Sequence, residues 1–67
     1  MSYEEMLEQI HERNAEGKVW SIENMAAHTG GVIRDTVFVA REIVRGRIYE
    51  YFRDKEGDYW YTSRKAG

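Results

Sequence analysis

Apolar residues in the first part of the chain recur at helical intervals. From Tyr3 the chain reaches Met6 and Leu7 after three and four positions, and Ile10 follows these two after four and three; this spacing places side chains on one face of an α-helix. Ser2 begins a capping-box sequence just before this run. The pattern therefore predicts a first helix over about residues 3–15.

The next segment is short and contains strong boundary signals. "KVW", residues 18–20, is apolar and β-prone, and predicts a short strand. Ser21 stands in the position of an N-cap, and "SIENMAAHTG" carries apolar residues at helical spacing. The glycine pair after Thr29 predicts the end of this second helix.

"RDTVFVAREIVRGR", residues 34–47, also has helical periodicity. At about 100° per residue, one broad arc holds the apolar side chains of Ile33, Val37, Ala40, Ile43 and Val44. A second stripe holds Arg34, Phe38, Arg41 and Arg45. The spacing predicts a third helix over residues 34–45, stopped by Gly46, with Phe38 exposed among arginines.

The remaining residues change to the pattern of a β-hairpin. "RIYEYFRD" and "DYWYTSR" are rich in aromatic and β-branched residues, and "KEG" stands between them as a turn. One alternation of the strands carries Ile48, Phe52 and Trp60, the other a ladder of tyrosines, Tyr49, Tyr51, Tyr59 and Tyr61. The ladder is either an interface or a set of stabilising cross-strand pairs. The sequence leaves open which alternation faces inward.

The order of these elements resembles the winged helix-turn-helix superfamily over about residues 3–64. "SIENMAAHTG" is similar to the second helix of that family, and "GVIRDTVFVAREIVRGRI" to its third. The resemblance implies an α+β winged helix of order α-β-α-α-β-β. Three helices would pack on a small antiparallel sheet, and the C-terminal hairpin would form the wing.

The same resemblance implies that the third helix reads the major groove of double-stranded DNA. The function expected from it is that of a small transcriptional regulator acting as a homodimer. The expected DNA-binding residues are Gly31, Arg34, Asp35, Thr36, Phe38, Arg41, Arg45 and Arg47. In this interpretation the arginines contact guanine edges or phosphates, and Phe38 packs on a thymine methyl group.

Composition limits the other classes of function. The 67 residues suffice for one domain, and the chain has no cysteine. The two histidines lack a second ligand at metal spacing, and no nucleophile or phosphate-loop motif is present, so we expect neither an enzyme nor a bound cofactor or metal. Without a long apolar run or a basic leader, we expect a soluble cytoplasmic protein.

The charge distribution supports an alternative to DNA binding. The net charge is -2, although residues 34–47 hold four arginines against two acids. The tip of the expected wing, "DKEGD", is acidic and would repel phosphates. The alternative is a protein-protein interaction module, an adaptor or inhibitor, that uses its exposed aromatic side chains. Binding of single strands through the tyrosine ladder is a third possibility.

Overall fold

Two helices and a four-stranded mixed sheet form the fold in a computed structural model, which describes residues 2–67. In chain order the elements are α1 (Tyr3–Ala15), β1 (Val19–Ser21), a 3-10 turn (Ile22–Asn24), α2 (Met25–Thr29), β2 (Thr36–Val44), β3 (Arg47–Asp54) and β4 (Tyr59–Lys65). The strand order across the sheet is β1-β4-β3-β2. Strand β1 runs parallel to β4, and the other neighbours are antiparallel.

The prediction of a winged helix is wrong. The fold is of the α+β kind, but the described residues form two α-helices instead of three, and the sheet is mixed instead of antiparallel. The segment expected to be the third helix, residues 34–45, holds strand β2. The β3–β4 hairpin is therefore part of the central sheet and does not project as a wing.

A β-bulge explains why strand β2 has helical periodicity. Phe38 pairs with Phe52 and Ala40 with Tyr51, so Val39 is the extra residue. In a regular strand, residues three apart point to opposite faces, but one inserted residue returns them to the same face. Val37 and Ala40 consequently share a face, as they would on a helix.

Local chemistry and pairing together favour the strand. Five of the nine residues of β2 are β-branched, and this class packs well on a pleated sheet. Arg45 and Gly46 then make a two-residue turn in which both φ angles are positive, 51° and 76°. That combination belongs to the type I′ turn, whose twist matches a hairpin. Gly46 therefore turns the chain into β3 instead of ending a helix.

Several predicted elements are confirmed. Helix α1 covers the predicted residues 3–15, and the Ser2 hydroxyl accepts a hydrogen bond from the Glu5 amide, as in a capping box. The short strand is present one residue later than predicted, and the C-terminal hairpin is present. Helix α2 ends at Gly30, which has a left-handed φ of 74°.

Helix α1 covers one face of the sheet and builds the main core. Ile10 is fully buried there among the side chains of Val19, Ala40, Tyr51 and Tyr59. Burying a side chain such as Ile10 contributes about 1.5–3 kcal/mol to the free energy of unfolding. The tyrosine alternation of the hairpin therefore faces α1, which answers the question that the sequence left open.

The opposite face is covered at one end. Trp20 and Trp60 contact each other there, with ring centroids 5.6 Å apart, and His28 of α2 lies over Trp20 at 5.3 Å. Toward β2 the cover ends, and Phe38 remains exposed. Within residues 2–67, neither helix combines the length and the apolar character needed to cross a membrane.

Candidate protein-binding surface

The predicted arginine stripe does not exist as one surface. Arg34 lies in the loop before β2, where its guanidinium binds the carboxylates of Asp54, Glu56 and Asp58 at 3.0, 3.0 and 2.8 Å. The hydrogen bond to Asp54, foremost among these contacts, raises the pKa of Arg34 above its ordinary value. Arg34 thus fastens this loop to the β3–β4 connection, and its charge is neutralised there.

Asp54 is the centre of this cluster and is almost completely buried. One of its oxygens accepts from the backbone amides of Glu56 and Asp58, and the other accepts from the Trp60 indole and from Arg34. Burial opposes the charged form of Asp54, but these hydrogen bonds outweigh it and lower the pKa of the carboxyl group. The acidic "DKEGD" segment is therefore a structural turn.

Arg41 and Arg45 differ from Arg34 because both are exposed and neither makes an ion pair among residues 2–67. Arg41 lies in the middle of β2, and Arg45 lies in the turn after it. Arg47, at the start of β3, donates a hydrogen bond to the Ser63 hydroxyl at 2.9 Å. The positive charges of this part of the chain are thus distributed along a strand and a turn.

The remaining predicted DNA-binding residues lie at the start of this segment. Gly31 follows α2 with a φ of 96°, Asp35 is exposed, and Thr36 is the first residue of β2. No helix begins after Gly31, so its amide is not part of a helix N-terminus. The structure thus separates these residues from one another along a loop and a strand edge.

Phe38 lies on the sheet face opposite α1. Its ring meets the Phe52 ring edge to face, with centroids 5.9 Å apart, yet 53% of Phe38 is exposed. Arg41 shares this face, because the bulge at Val39 separates the two residues. Phe38 and Arg41 therefore remain neighbours on one exposed surface, although the predicted helix is absent.

Large exposed apolar side chains are concentrated around β2. Six of them lie within residues 32–44: Val32, Ile33, Val37, Phe38, Ile43 and Val44. Ile33 is the most exposed, at 73%. A seventh, Tyr3, lies against β2 from α1. Within residues 2–67, every large hydrophobic side chain in the exposed class thus belongs to β2 or borders it.

Among residues 2–67, no strand lies beside the outer edge of β2, because β2 is the last strand of the sheet. At its middle, the Arg41 amide donates to the Tyr3 hydroxyl at 2.6 Å, and that hydroxyl donates to the Arg41 carbonyl. Backbone groups alternate in direction along an antiparallel strand. Since those of Arg41 point outward, those of Ile43 also point outward, where no strand pairs with them.

The tyrosine ladder is mostly part of the core. Tyr51 and Tyr59 are 7% and 1% exposed beneath α1, so they offer little surface to a second chain. Tyr49 and Tyr61 are half-buried at the end of α1. The homodimer expected through this ladder stays a prediction, with Tyr49 and Tyr61 as its accessible members.

Glu42 joins the ladder to α1. One of its oxygens accepts a hydrogen bond from the Tyr51 hydroxyl at 2.6 Å, and its carboxylate lies 3.0 Å from His11 Nε2. Burial, followed by this hydrogen bond, raises the pKa of the Tyr51 hydroxyl well above its ordinary value. Tyr51 therefore remains a neutral donor. In the described part of the chain, no three His, Asp or Glu side chains are placed to hold a metal ion.

The sequence interpretation missed the outer edge of β2. Val37, Ile43 and Val44 belong to the apolar arc of the predicted helix, but in strand β2 all three are exposed. The density of β-branched residues and the Arg45–Gly46 pair are signals of a strand and a turn. The contact between Tyr3 and Arg41 has no sequence signal, because the two residues are far apart in the chain.

No known family model, curated protein or solved structure matches this chain.

Proposed function

We propose that this protein is a protein-protein interaction module that binds an extended segment of a partner protein along the outer edge of β2. The observation that carries the proposal is the concentration of exposed apolar side chains on one unpaired strand. Single exposed apolar residues are ordinary, but a long apolar edge strand is a template for another chain. A bound partner segment would cover the exposed apolar side chains of β2.

The backbone of β2 supplies one part of the binding. An extended segment that adds to a sheet edge forms main-chain hydrogen bonds, and its alternate side chains reach the surfaces beside the edge. The outward groups of Ile43 are available for such bonds. Phe38 and Ile43 flank the strand on the open face, and Val37 and Val44 flank it on the α1 face.

The charges of β2 indicate the chemistry of the partner. Arg41 and Arg45 are exposed without an ion pair in the described part of the chain, so a partner carrying Asp or Glu gains two attractive contacts. A second copy of the chain would instead bring two further arginines to the same strand edge. These charges favour an acidic partner segment with alternating apolar residues over self-pairing.

The experiment is a selection from a library of displayed random peptides against the full chain. We expect the enriched peptides to alternate apolar residues and to contain Asp or Glu. Phe38→Glu should weaken their binding by about tenfold or more, because it removes an apolar contact and repels acidic residues. Ala27→Glu adds the same charge on α2 and is the matched control.

Two outcomes would contradict the proposal. One is a set of enriched peptides that are basic or lack apolar alternation. The other is equal affinity of the wild type, Phe38→Glu and Ala27→Glu proteins for the enriched peptide. Dimers held by β2 in solution, lost in Phe38→Glu, would show that a second copy is the partner, against the charge argument.

Binding to double-stranded DNA is a second candidate, now without a helix to enter the groove. The observation that favours it is a basic end of the sheet, where Arg47 of β3 stands opposite Lys65 of β4 and Arg45 lies in the turn before β3. Arg45→Glu combined with Arg47→Glu should abolish duplex binding at low salt if these contacts are real. Unchanged duplex affinity in that variant would exclude this surface.

A further inference from the structure

An open cleft of about 270 Å³ lies on the α1 face of the sheet. Its lining consists of Asn14 at the end of α1, Val19 of β1, and the three tyrosines Tyr49, Tyr51 and Tyr61. The Tyr49 ring is nearly parallel to that of Tyr51, with centroids 6.4 Å apart, and it lies 6.3 Å from the Tyr61 ring. The cleft is slightly smaller than a drug-sized pocket, and its size and lining suit one flat ring system.

Polar groups of the cleft are available to a ligand. The Tyr51 hydroxyl is occupied by Glu42. Within residues 2–67, by contrast, no hydrogen bond occupies the hydroxyls of Tyr49 and Tyr61 or the carboxamide of Asn14. These two hydroxyls and this carboxamide can each donate and accept hydrogen bonds. They match the edge of a heteroaromatic base.

Positive charge adjoins the cleft at the same end of the sheet. Arg47 and Lys65 stand opposite each other on β3 and β4, and both are exposed. Arg47 is two residues from Tyr49, so it shares the tyrosine face at a distance of roughly 7 Å along the strand. Neither Arg47 nor Lys65 makes an ion pair in the part of the chain that the structure describes.

The acidic side chain on the neighbouring strand, Glu42, is already engaged. Glu42 stands opposite Tyr49 on β2, and its carboxylate binds His11 and the Tyr51 hydroxyl. At the other end of the sheet, Asp54, Glu56 and Asp58 surround Arg34. The charges are therefore separated along the strands, and the cleft lies toward the basic end.

We infer that this cleft binds a nucleotide, with the base stacked on Tyr49 beside the Tyr61 ring, which is tilted by 46°, and with the phosphate beside Arg47 and Lys65. Stacking on aromatic side chains tolerates any base, and two cations supply a modest, salt-dependent contribution. The same chemistry is offered by a free mononucleotide and by a single-stranded nucleic acid. This inference does not involve the outer edge of β2 or the partner proposed there, so it stands or fails independently.

The test is an amide chemical-shift titration of the full chain at low salt. The probes are deoxyadenosine monophosphate, a short single-stranded oligodeoxyadenylate, inorganic phosphate, and a DNA duplex. We expect the mononucleotide or the single strand to shift the amides of Asn14, Tyr49, Tyr61 and Ser63. Shifts with both probes assign the site to nucleotides in general, and shifts with the oligonucleotide alone assign it to single-stranded nucleic acid.

Variants separate stacking from simple charge attraction. Tyr49→Leu removes the ring and should weaken binding by about tenfold, whereas Tyr49→Phe keeps the ring and should retain most of the affinity. Arg47→Gln should weaken binding and reduce its salt dependence. Phe52→Leu removes a ring on the opposite face of the sheet and is the matched control, with unchanged nucleotide affinity expected.

The inference is overturned if neither the mononucleotide nor the oligonucleotide shifts these amides at millimolar concentration. It is also overturned if inorganic phosphate or the duplex produces the same shifts with equal affinity, because the base then contributes nothing. The wild-type titration alone decides the first point, even if Tyr49→Leu fails to fold.

Discussion

The hydroxyl of Tyr3 protects one position of an otherwise open strand edge, and Tyr3→Phe tests this role. The substitution keeps the ring and removes the group that accepts from the Arg41 amide and donates to the Arg41 carbonyl. A hydrogen bond contributes about 0.5–1.5 kcal/mol in net terms. Because Tyr3 is half-exposed, water can partly replace these two hydrogen bonds. We therefore expect Tyr3→Phe to lower the free energy of unfolding by about 1 kcal/mol, near the lower end of the range for two bonds.

Amide hydrogen exchange measures the effect at the bond itself. In the wild type, the Arg41 amide is protected by Tyr3, and the Glu42 amide is protected because it points toward β3. Tyr3→Phe should speed exchange at Arg41 by about fivefold or more, corresponding to 1 kcal/mol. Glu42 should change little, and Ile43, whose amide points outward, should exchange rapidly in both proteins.

Tyr3→Phe should change both the melting temperature of the protein and its affinity for a partner strand. A loss of about 1 kcal/mol lowers the melting temperature of a domain this small by about 4–8 °C. A partner strand that covers Arg41 must displace the Tyr3 hydroxyl, so its affinity should rise by about fivefold in Tyr3→Phe. Unchanged exchange at Arg41 would refute the protective role, and a weaker partner affinity would refute the competition.

Three further substitutions test the Arg45–Gly46 turn and the buried carboxylate of Asp54, whose effect should depend on pH. Arg45→Asn should stabilise the protein by about 0.5 kcal/mol in urea unfolding, because Asn-Gly is favoured in a type I′ turn; a loss of stability would contradict the turn. Gly46→Ala should cost about 1 kcal/mol in the same assay, because Gly46 has a φ of 76°, whereas a gain would indicate helical backbone. Asp54→Asn should cost roughly 2–3 kcal/mol near neutral pH, since an amide cannot serve all four donors. Asp58→Asn is the milder control, and equal losses would contradict the central position of Asp54. The pKa of Asp54 in the folded protein lies below its ordinary value. The contribution of Asp54 to the free energy of unfolding is therefore present above that ordinary value and is lost as the pH falls through the folded pKa. The wild type should thus lose its greater stability over Asp54→Asn in acid, and a stability difference that does not change with pH would contradict this.

Local patterns determined a large part of this fold. The capping sequence at Ser2 and the apolar spacing of Met6, Leu7 and Ile10 correctly predicted α1. The change to aromatic alternation correctly predicted the β3–β4 hairpin. In both cases neighbouring residues carry the signal, and no distant contact opposes it.

Strand β2 shows where local pattern fails. The bulge at Val39 places Val37 and Ala40 on one face, so the strand imitates the three-residue spacing of a helix. Residues 36–44 form a strand because they pair with β3, where Phe38 stands opposite Phe52. The spacing of apolar residues within β2 does not show that β3 pairs with it.

The sequence correctly predicted that Phe38 and Arg41 share one surface, but that surface is a face of the sheet and not of a helix. Phe38 and Arg41 were expected side by side on a helix, and the bulge keeps them on one face of the sheet. Arg34 was expected beside them, but it binds three carboxylates that follow it by about twenty residues. Only the folded chain brings those carboxylates to Arg34 and removes its charge from the surface.

The proposed function is the binding of an extended segment of another protein by the outer edge of β2. Its most direct test is an NMR titration of the labelled chain with a peptide enriched in the selection. We expect shifts along Thr36–Val44, with intermolecular contacts between peptide amides and the outward backbone of Ile43. Shifts confined to α1 or to the Trp20 and Trp60 side of the sheet, with β2 unchanged, would contradict it.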